Sequence, residues 1–181
     1  MEITRGGPAD VPAILQMLDD AQDWLASRGR TGQWGTDHFS GVPASVERFT
    51  ALATTGTVWL AVDRGDESTA DNTGNTGNAV AGVVITSTTA AAYVPPADEP
   101  EHYISLLVTA RAFTGRGVGA ALLRHALAEA RAAGVGLVRV DCYDGDDHRL
   151  VAYYEKQGFT SLGTFTARGG TWPGRLLGQR V

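Results

Sequence analysis

Residues 106–123 read LLVTARAFTGRGVGAALL, and this stretch passes from an apolar run through a glycine-rich turn into a helical pattern. The apolar run predicts a strand over His102–Val108. After the turn, apolar residues at helical spacing predict an amphipathic helix over Gly117–Ala133. Because glycine relaxes the backbone at the positive end of the helix dipole, several N–H groups between Gly115 and Ala120 can point one way. The turn is therefore a candidate phosphate-binding site.

The sequence of the turn is compatible with more than one kind of ligand. A dinucleotide fingerprint, G-x-G-x-x-G/A, would use Gly115, Gly117 and Ala120, and its final position tolerates alanine. A P-loop must end in Gly-Lys-Ser/Thr, whereas this turn ends in Gly119-Ala120-Ala121, so a P-loop is excluded. A purely structural turn before a helix also remains open.

A second strand and helix follow the first pair. Leu137–Cys142 predicts a strand, and a helix is expected from about His148 to Gln157, with Gly158 just beyond its end. Strand, helix, strand and helix in succession indicate that the two strands pair in parallel through a crossover.

The rest of the chain predicts two helices before the main sheet and an irregular periphery. A helix is expected from Asp10 to near Gly29 and another over Pro43–Leu52, with strands at Ile3–Arg5, Thr57–Asp63 and Ala79–Thr86. We expect a long polar hairpin loop over Arg64–Asn78 and an irregular segment over Ser87–Glu101. The segment Phe159–Val181 is expected to contain at most two short strands, around Gly169-Gly170 and Trp172-Pro173-Gly174.

Composition narrows the class of protein. The chain has 181 residues, 43% hydrophobic and 19% charged, which predicts one globular domain over residues 1–181. A net charge of −5 argues against a nucleic-acid partner. No apolar run approaches the roughly 20 residues of a membrane span and no leader pattern opens the sequence, so we expect a cytoplasmic protein without membrane contact. Cys142 is the only cysteine, which excludes an intrachain disulfide and a cysteine-based metal site, and we expect no metal.

Residues 106–123 resemble the acyl-CoA-binding motif of the GCN5-related N-acetyltransferase (GNAT) family. The family signature, Q/R-x-x-G-x-G/A, matches at Gly117 and Gly119, while Thr114 stands where arginine or glutamine is usual. The resemblance implies that acetyl-CoA is the cosubstrate. It also implies the residues that hold it at the turn, namely Gly115, Arg116, Gly117, Val118, Gly119 and Ala120.

Residues 147–159 are similar to a second motif of the same family, N-x-x-(A/L)-x-x-x-Y-x-x-x-G-F. Asp147 stands at the asparagine position, where the family contacts the pantetheine arm, and an aspartate is also a good helix N-cap. Tyr154 falls on the family tyrosine, which implies that its hydroxyl protonates the departing CoA thiolate. A tyrosine with an ordinary pKa near 10 is protonated at neutral pH and suits this role. The alternative is a core aromatic whose hydroxyl is hydrogen-bonded elsewhere.

The resemblance also implies a fold and a reaction. The expected fold is α/β (α+β), with a mixed, mostly antiparallel central sheet, a parallel strand pair splayed around the acyl-CoA site, and about four flanking helices. A bulge near Leu107-Val108 is expected to free a backbone N–H for the thioester carbonyl. The acceptor amine then attacks the thioester directly in a ternary complex. No general base is obvious, although Glu101, His102 and Ser105 lie on or beside the strand.

In such folds the acceptor pocket is built by the first two helices and the last strands. That region of this sequence mixes acids and aromatics suited to a cationic amine, and the candidate residues are Asp19, Asp20, Asp23, Trp24, Gln33, Trp34, Asp37 and His38. We take Trp24, Trp34, Asp37 and His102 as candidate substrate residues. The alternative is that these residues form a solvated helix face with core tryptophans.

These patterns support one leading function and two alternatives. The leading function is acetyl transfer to a primary amine of a small molecule, with a peptide N-terminus or lysine as the less favoured acceptor, and a homodimer is compatible with this function. A non-catalytic acyl-CoA-binding or regulatory domain is the first alternative, because Thr114 and Asp147 depart from the family pattern and no base is evident. A nucleotide- or phosphometabolite-binding module that uses the same turn is the second.

Overall fold

A computed structural model describes residues 1–65, 78–145 and 147–181. The described residues form seven β-strands in one sheet, in the order β1-β2-β3-β4-β5-β7-β6, and four α-helices. The strands are β1 (Glu2–Arg5), β2 (Thr57–Arg64), β3 (Asn78–Ser87), β4 (Glu101–Thr109), β5 (Leu137–Tyr143), β6 (Thr160–Ala167) and β7 (Trp172–Arg180). The helices are α1 (Val11–Ala26), α2 (Pro43–Thr55), α3 (Val118–Ala132) and α4 (Arg149–Lys156).

The sheet is antiparallel except for one parallel pair, β4 and β5. These two strands pair from Glu101 opposite Leu137 to Ile104 opposite Val140, and helix α3 connects them. Beyond Ile104, β4 continues to pair with β3 alone and β5 with β7 alone, so the two strands diverge. The predicted mixed sheet, with its splayed parallel pair and four helices, is confirmed.

A β-bulge marks the point of divergence. Ile85 lies opposite Leu106 and Thr86 lies opposite Ile104, so Ser105 is an extra residue in β4. An extra residue bends its strand, and here the bend comes directly after the last residue that pairs with β5. The expected bulge near Leu107-Val108 therefore lies two residues earlier, at Ser105.

Two hydrophobic layers cover the two faces of the sheet. Helices α1 and α2 pack on one face, where Ile14 and Leu18 meet Val83 and Ile85. Helix α3 packs on the other face with α4, in the same cluster as Val84. Successive side chains of a strand alternate between the two faces of the sheet. Neighbouring residues of β3 therefore pack against different helices.

The C-terminal segment differs from its prediction. Instead of at most two short strands, β6 has 8 residues and β7 has 9, and Gly169-Gly170 lie in the turn between them. Glycine and proline disfavour strands in isolation, yet Pro173 and Gly174 are paired with β6, and β7 pairs with β5 from Gly174 to Arg180. Strand pairing across the sheet outweighs local propensity here.

Most other predicted boundaries lie within a few residues of the observed ones. The helix expected to end near Gly29 ends at Ala26, and the helix expected to end at Leu52 continues to Thr55. Most of the expected polar loop over Arg64–Asn78 lies outside the described residues. Among the described residues, no helix combines the length and the apolar character needed to cross a bilayer.

A buried ion pair joins the parallel strands near their start. Arg139 donates through Nε and Nη2 to Glu101 at 2.5 and 2.8 Å, and both side chains are at most 7% exposed. Arg139 also donates to the carbonyl oxygen of Pro95, at 2.9 Å, and so ties down the segment before β4. Both carboxylate oxygens of Glu101 are thus engaged by the Arg139 guanidinium.

The Glu101→Gln variant is expected to lose about 3–5 kcal/mol of unfolding free energy, because it leaves a buried guanidinium without its counter-charge. Urea unfolding followed by tryptophan fluorescence measures the loss. The control is Glu99→Gln, which breaks an exposed pair with Arg180 and is expected to change stability little. Equal stability of both variants would contradict a structural role for the buried pair.

Candidate functional site

A cavity of about 300 Å³ opens where β4 and β5 diverge. Ser105 and Leu107 line it from β4, Asp141 and Cys142 line it from β5, and Tyr154 lines it from α4. Five residues named as candidates in the sequence are brought together here: Gln33, Trp34, Ser105, Leu107 and Tyr154. The expected position of Tyr154 beside the opening between the strands is thus where this side chain lies.

Tyr154 is nearly enclosed by the protein, with 6% of its surface exposed. Its ring meets Tyr153 and Phe159 edge to face, with centroids 5.4 and 5.8 Å away. No hydrogen bond to its hydroxyl is found among the described residues. Burial raises the pKa of Tyr154, and the Cys142 thiol adds to the effect. The phenol is therefore protonated at neutral pH, and its proton is not committed to a neighbouring protein group.

The glycine turn leaves backbone donors free. Gly115 and Gly117 adopt left-handed conformations, with φ of 80° and 74°. The N–H of Arg116 donates to the carbonyl of Phe113, and the first hydrogen bond into α3 comes from Ala121. Within the described residues, no hydrogen bond uses the N–H groups of Gly115, Gly117, Val118, Gly119 and Ala120. Free donors at the start of a 15-residue helix are groups to which an anion can hydrogen-bond.

Two side chains of the turn are engaged within the protein. Arg116 pairs with Asp63 at 3.0 Å, and its guanidinium lies over the ring of Phe113, 4.9 Å from the centroid. The Thr114 hydroxyl donates to the carbonyl of Arg111 at 2.7 Å. The backbone N–H groups of the turn are therefore more available to a ligand than the side chains of Arg116 and Thr114.

Gly119 lies close to a side chain of α4. A Cβ atom at this position would lie 2.5 Å from the hydroxyl of Tyr153 on α4. The side chains of Val118 and Val108 are also inside the protein, in the clusters on opposite faces of the sheet. These two valines can meet a ligand only through their backbone.

Asp147 lies just before α4 and outside the cavity. Its carboxylate accepts the N–H of Arg149 at 3.2 Å and pairs with the Arg30 guanidinium at 3.0 Å. The N-cap position belongs to His148, which has a φ of 48°. The expected N-cap is therefore one residue further along, and Asp147 stabilises the first turn from the preceding position.

Three of the four candidate substrate residues lie outside the cavity. The ring of Trp24 contacts the guanidinium groups of Arg28 and Arg111, which are 4.7 and 3.9 Å from its centroid. Asp37 has an exposed side chain, and its carbonyl accepts a hydrogen bond from Gln22. His102 is half-buried on β4 away from the opening, and among the described residues its Nδ1 has no partner. Trp34 alone of the four lines the cavity.

A second cavity, of about 480 Å³, adjoins the first between α2, β4 and the segment before β4. Asp141 lines both cavities and was missed in the sequence analysis. Its carboxylate accepts hydrogen bonds from the hydroxyls of Tyr103 and Tyr93. Burial raises the pKa of Asp141, and these two hydrogen bonds oppose the rise. The available signal was an acidic residue inside LVRVDCY, an otherwise largely apolar strand.

The sequence matches a known family over much of its length. Residues 44–159 match the profile of the acetyltransferase (GNAT) family, and the chain belongs to this family. The comparison with curated proteins gives no match.

Solved structures of acetyltransferases share the fold. The ribosomal-protein-alanine N-acetyltransferase of Brucella melitensis superposes with a TM-score of 0.67 at 19% identity, and 100% of each chain is covered. A GNAT-family acetyltransferase of Listeria monocytogenes 4b F2365 gives 0.66 at 21% identity, covering 99% of this chain and 94% of that one. The Salmonella typhimurium protein yncA, solved with its cofactor acetyl-CoA, gives 0.60 at 18% identity, covering 99% and 93%.

The Cys142 thiol is expected to resist alkylation in the folded protein. Burial, helped by Asp141 and Asp144, raises its pKa to about 12, so almost no thiolate exists at pH 8. Iodoacetamide labelling followed by mass spectrometry should be at least about tenfold slower in native protein than in protein unfolded by urea. Equal rates would show that the thiol is accessible and ionised.

Proposed function

We propose that residues 1–181 form one N-acetyltransferase domain, which transfers the acetyl group of acetyl-CoA to a primary amine of a small molecule. The observation that carries this proposal is Tyr154, a protonated side chain at the opening between β4 and β5, in a chain of the acetyltransferase family. Direct attack of the amine in a ternary complex is the mechanism that these residues fit best.

The free donors of the glycine turn would hold the diphosphate of acetyl-CoA. The N–H groups of Gly115 and of residues 117–120 supply hydrogen bonds, and the dipole of α3 adds favourable charge. Beyond Ile104, β5 no longer pairs with β4, so Leu107 and Val108 present a free strand edge on that side. Pantetheine amides can pair with such an edge, as an added strand does.

Proton transfer at sulfur is the role proposed for Tyr154. As the amine nitrogen bonds to the acetyl carbon, the carbon–sulfur bond breaks, and the tyrosine hydroxyl donates its proton to the sulfur. An acetylated cysteine is a poor alternative route, because the raised pKa of Cys142 keeps its thiol neutral and weakly nucleophilic.

The Tyr154→Phe variant is expected to lower kcat by roughly 100-fold with little change in the KM for acetyl-CoA, because only the transition state loses a proton donor. Release of CoA thiol, followed with a disulfide reagent, measures both constants. Unfolding free energy should not fall, since the lost hydroxyl has no hydrogen-bond partner among the described residues.

Tyr153→Phe is the matched comparison on the neighbouring position. Its hydroxyl faces Gly119 rather than the cavity, so any effect is expected in the KM for acetyl-CoA and not in kcat. Equal kcat for the Tyr154→Phe variant and the wild type would remove Tyr154 from the mechanism.

A non-catalytic acyl-CoA-binding domain is the second candidate. Two contacts within the protein favour it: Asp147 pairs with Arg30, and the Thr114 hydroxyl donates to the carbonyl of Arg111. The side chains at these two motif positions are therefore less available to a ligand. Such a domain would bind acetyl-CoA without releasing CoA in the presence of any amine.

Acetyl-CoA is expected to stabilise the protein against heat. At about a hundred times its dissociation constant, a ligand adds about 2.7 kcal/mol of stability. Thermal shift assays should show a rise in Tm with acetyl-CoA and none with NAD or ATP at equal concentration. A rise with NAD or ATP alone would favour the nucleotide-binding alternative instead. Turnover with an amine panel then separates the enzyme from the binding domain.

A further inference from the structure

Four residues line both cavities and form the junction between them. They are Arg48 on α2, Tyr93 before β4, Ser105 at the bulge and Asp141 on β5. The smaller cavity contains Tyr154, while the larger has the volume of a small-molecule pocket. An acceptor held in the larger cavity would reach the acetyl group through this junction.

The junction carries one negative and one positive side chain. Asp141 supplies a carboxylate that is fixed by two tyrosine hydroxyls. Arg48 is exposed, and it takes part in none of the ion pairs found among the described residues. Its charge is near enough to lower the pKa of Asp141. A free guanidinium at the mouth of a pocket favours an anion and repels a second cation.

Most of the remaining residues around the larger cavity are small or hydroxylated, and Leu52 adds an apolar side chain. Ala51, Ala90 and Ala91 bound it, together with the hydroxyls of Ser87 and Thr88. The Ser87 hydroxyl lies 3.0 Å from that of Ser105, so the hydroxyl wall continues to the junction. This lining suits a compact polar molecule better than a large apolar one.

We infer that the acceptor is a small zwitterionic amine, whose amino group binds at Asp141 and whose carboxylate or phosphonate binds at Arg48. This inference rests on the proposed acetyl transfer and names its substrate class. A carboxylate beside the amine and a guanidinium beside the anion give each charge of such a molecule its own partner. A neutral or polycationic amine would leave Arg48 unused or repelled.

Asp141 would also accept the proton that the amine loses. The acceptor first gives its extra proton to solvent, and the neutral nitrogen then bonds to the acetyl carbon while the carbon–sulfur bond breaks. One proton passes from nitrogen to the Asp141 carboxylate, and another passes from Tyr154 to sulfur. Transfer of a proton from Asp141 back to Tyr154 through solvent restores both groups, and the products are the amide and the free thiol.

The groups facing Asp141 leave it more basic than an ordinary aspartate. Tyr103 faces it from β4, Tyr93 from the preceding segment, Arg48 from α2 and Tyr154 from α4, with the Cys142 thiol beside it on β5. The tyrosines and the thiol are neutral, so Arg48 supplies the positive charge among them. Burial raises the pKa of Asp141 more than its hydrogen bonds and Arg48 lower it.

The test compares amines that differ only in their anionic group. Initial rates are measured with acetyl-CoA and pairs of probes, namely α-amino acids against their carboxamides and aminoalkyl phosphonates against their neutral diesters. The wild type is expected to prefer the anionic member of a pair by about tenfold or more in kcat/KM, the effect of one charge-assisted hydrogen bond. Arg48→Gln should abolish this preference by raising the KM of the anionic amines.

Arg131→Gln is the matched control. Arg131 is an exposed residue in the last turn of α3 and lines neither cavity, so the preference should persist. Equal use of both members of each pair by the wild type, or an unchanged preference in Arg48→Gln, overturns the zwitterion inference and leaves acetyl transfer standing. Failure to acetylate any probe and any member of the amine panel, in protein that acetyl-CoA stabilises, overturns the proposed function itself.

Asp141 is tested separately through the pH dependence of kcat/KM. The wild type should lose activity as pH falls through the raised pKa of this carboxyl group, because the protonated form no longer accepts a proton. Asp141→Asn should lower the rate and flatten this acid limb, and Asp141→Glu should restore part of both. A thermal shift with acetyl-CoA confirms that each variant is folded. The amine must also lose a proton, so an acid limb from its own ionisation remains in every variant. A limb in Asp141→Asn that matches the wild type in position and slope overturns the proton-acceptor role.

Discussion

The end of the pairing between β4 and β5 is the constraint on which the rest of the structure depends. The two parallel strands are held together as far as Ile104 and Val140, and each then follows its antiparallel neighbour. Where two neighbouring strands stop pairing inside a sheet, a gap opens between them. The backbone groups of β4 that face this gap have no partner on β5. The bulge at Ser105 bends β4 at that point. The gap, rather than any loop, is therefore the origin of the cavity beside Tyr154.

The same constraint places two unconnected sequence motifs at one end of the sheet. Parallel strands bring their carboxyl ends to the same edge, where ligands of α/β proteins commonly bind. The glycine turn follows the carboxyl end of β4, and the segment leading to α4 follows that of β5. At the opposite end, Glu101 and Arg139 lock the strands together with a buried ion pair. The two strands are thus held together by pairing at the end that contains Glu101 and Arg139. At the end where they diverge, each strand leads to its own helix, β4 to α3 and β5 to α4.

Sequence patterns predicted the parts of the fold and site that depend on local backbone. The glycines at 115 and 117 have the left-handed conformations that a tight turn requires, and the helix after them is amphipathic. Asp141 and Arg48 were not predicted as a pair, because 93 residues of sequence separate them and only the packing of α2 on the sheet brings them to one junction. Strand β6 was underestimated for a similar reason, since its pairing partner decides its length.

Burial changes the acid–base behaviour of three side chains of the cavity, with a different consequence for each. Removal from water raises the pKa of Tyr154, Cys142 and Asp141. The phenol keeps its proton, the thiol stays neutral, and the carboxylate becomes a stronger base. Amide formation needs a proton donor at sulfur and a proton acceptor at nitrogen at the same moment, which a single titrating group cannot supply. A tyrosine and an aspartate on one cavity would supply both states to the proposed reaction, because a phenol is ordinarily a far weaker acid than a carboxyl group and burial raises the pKa of both.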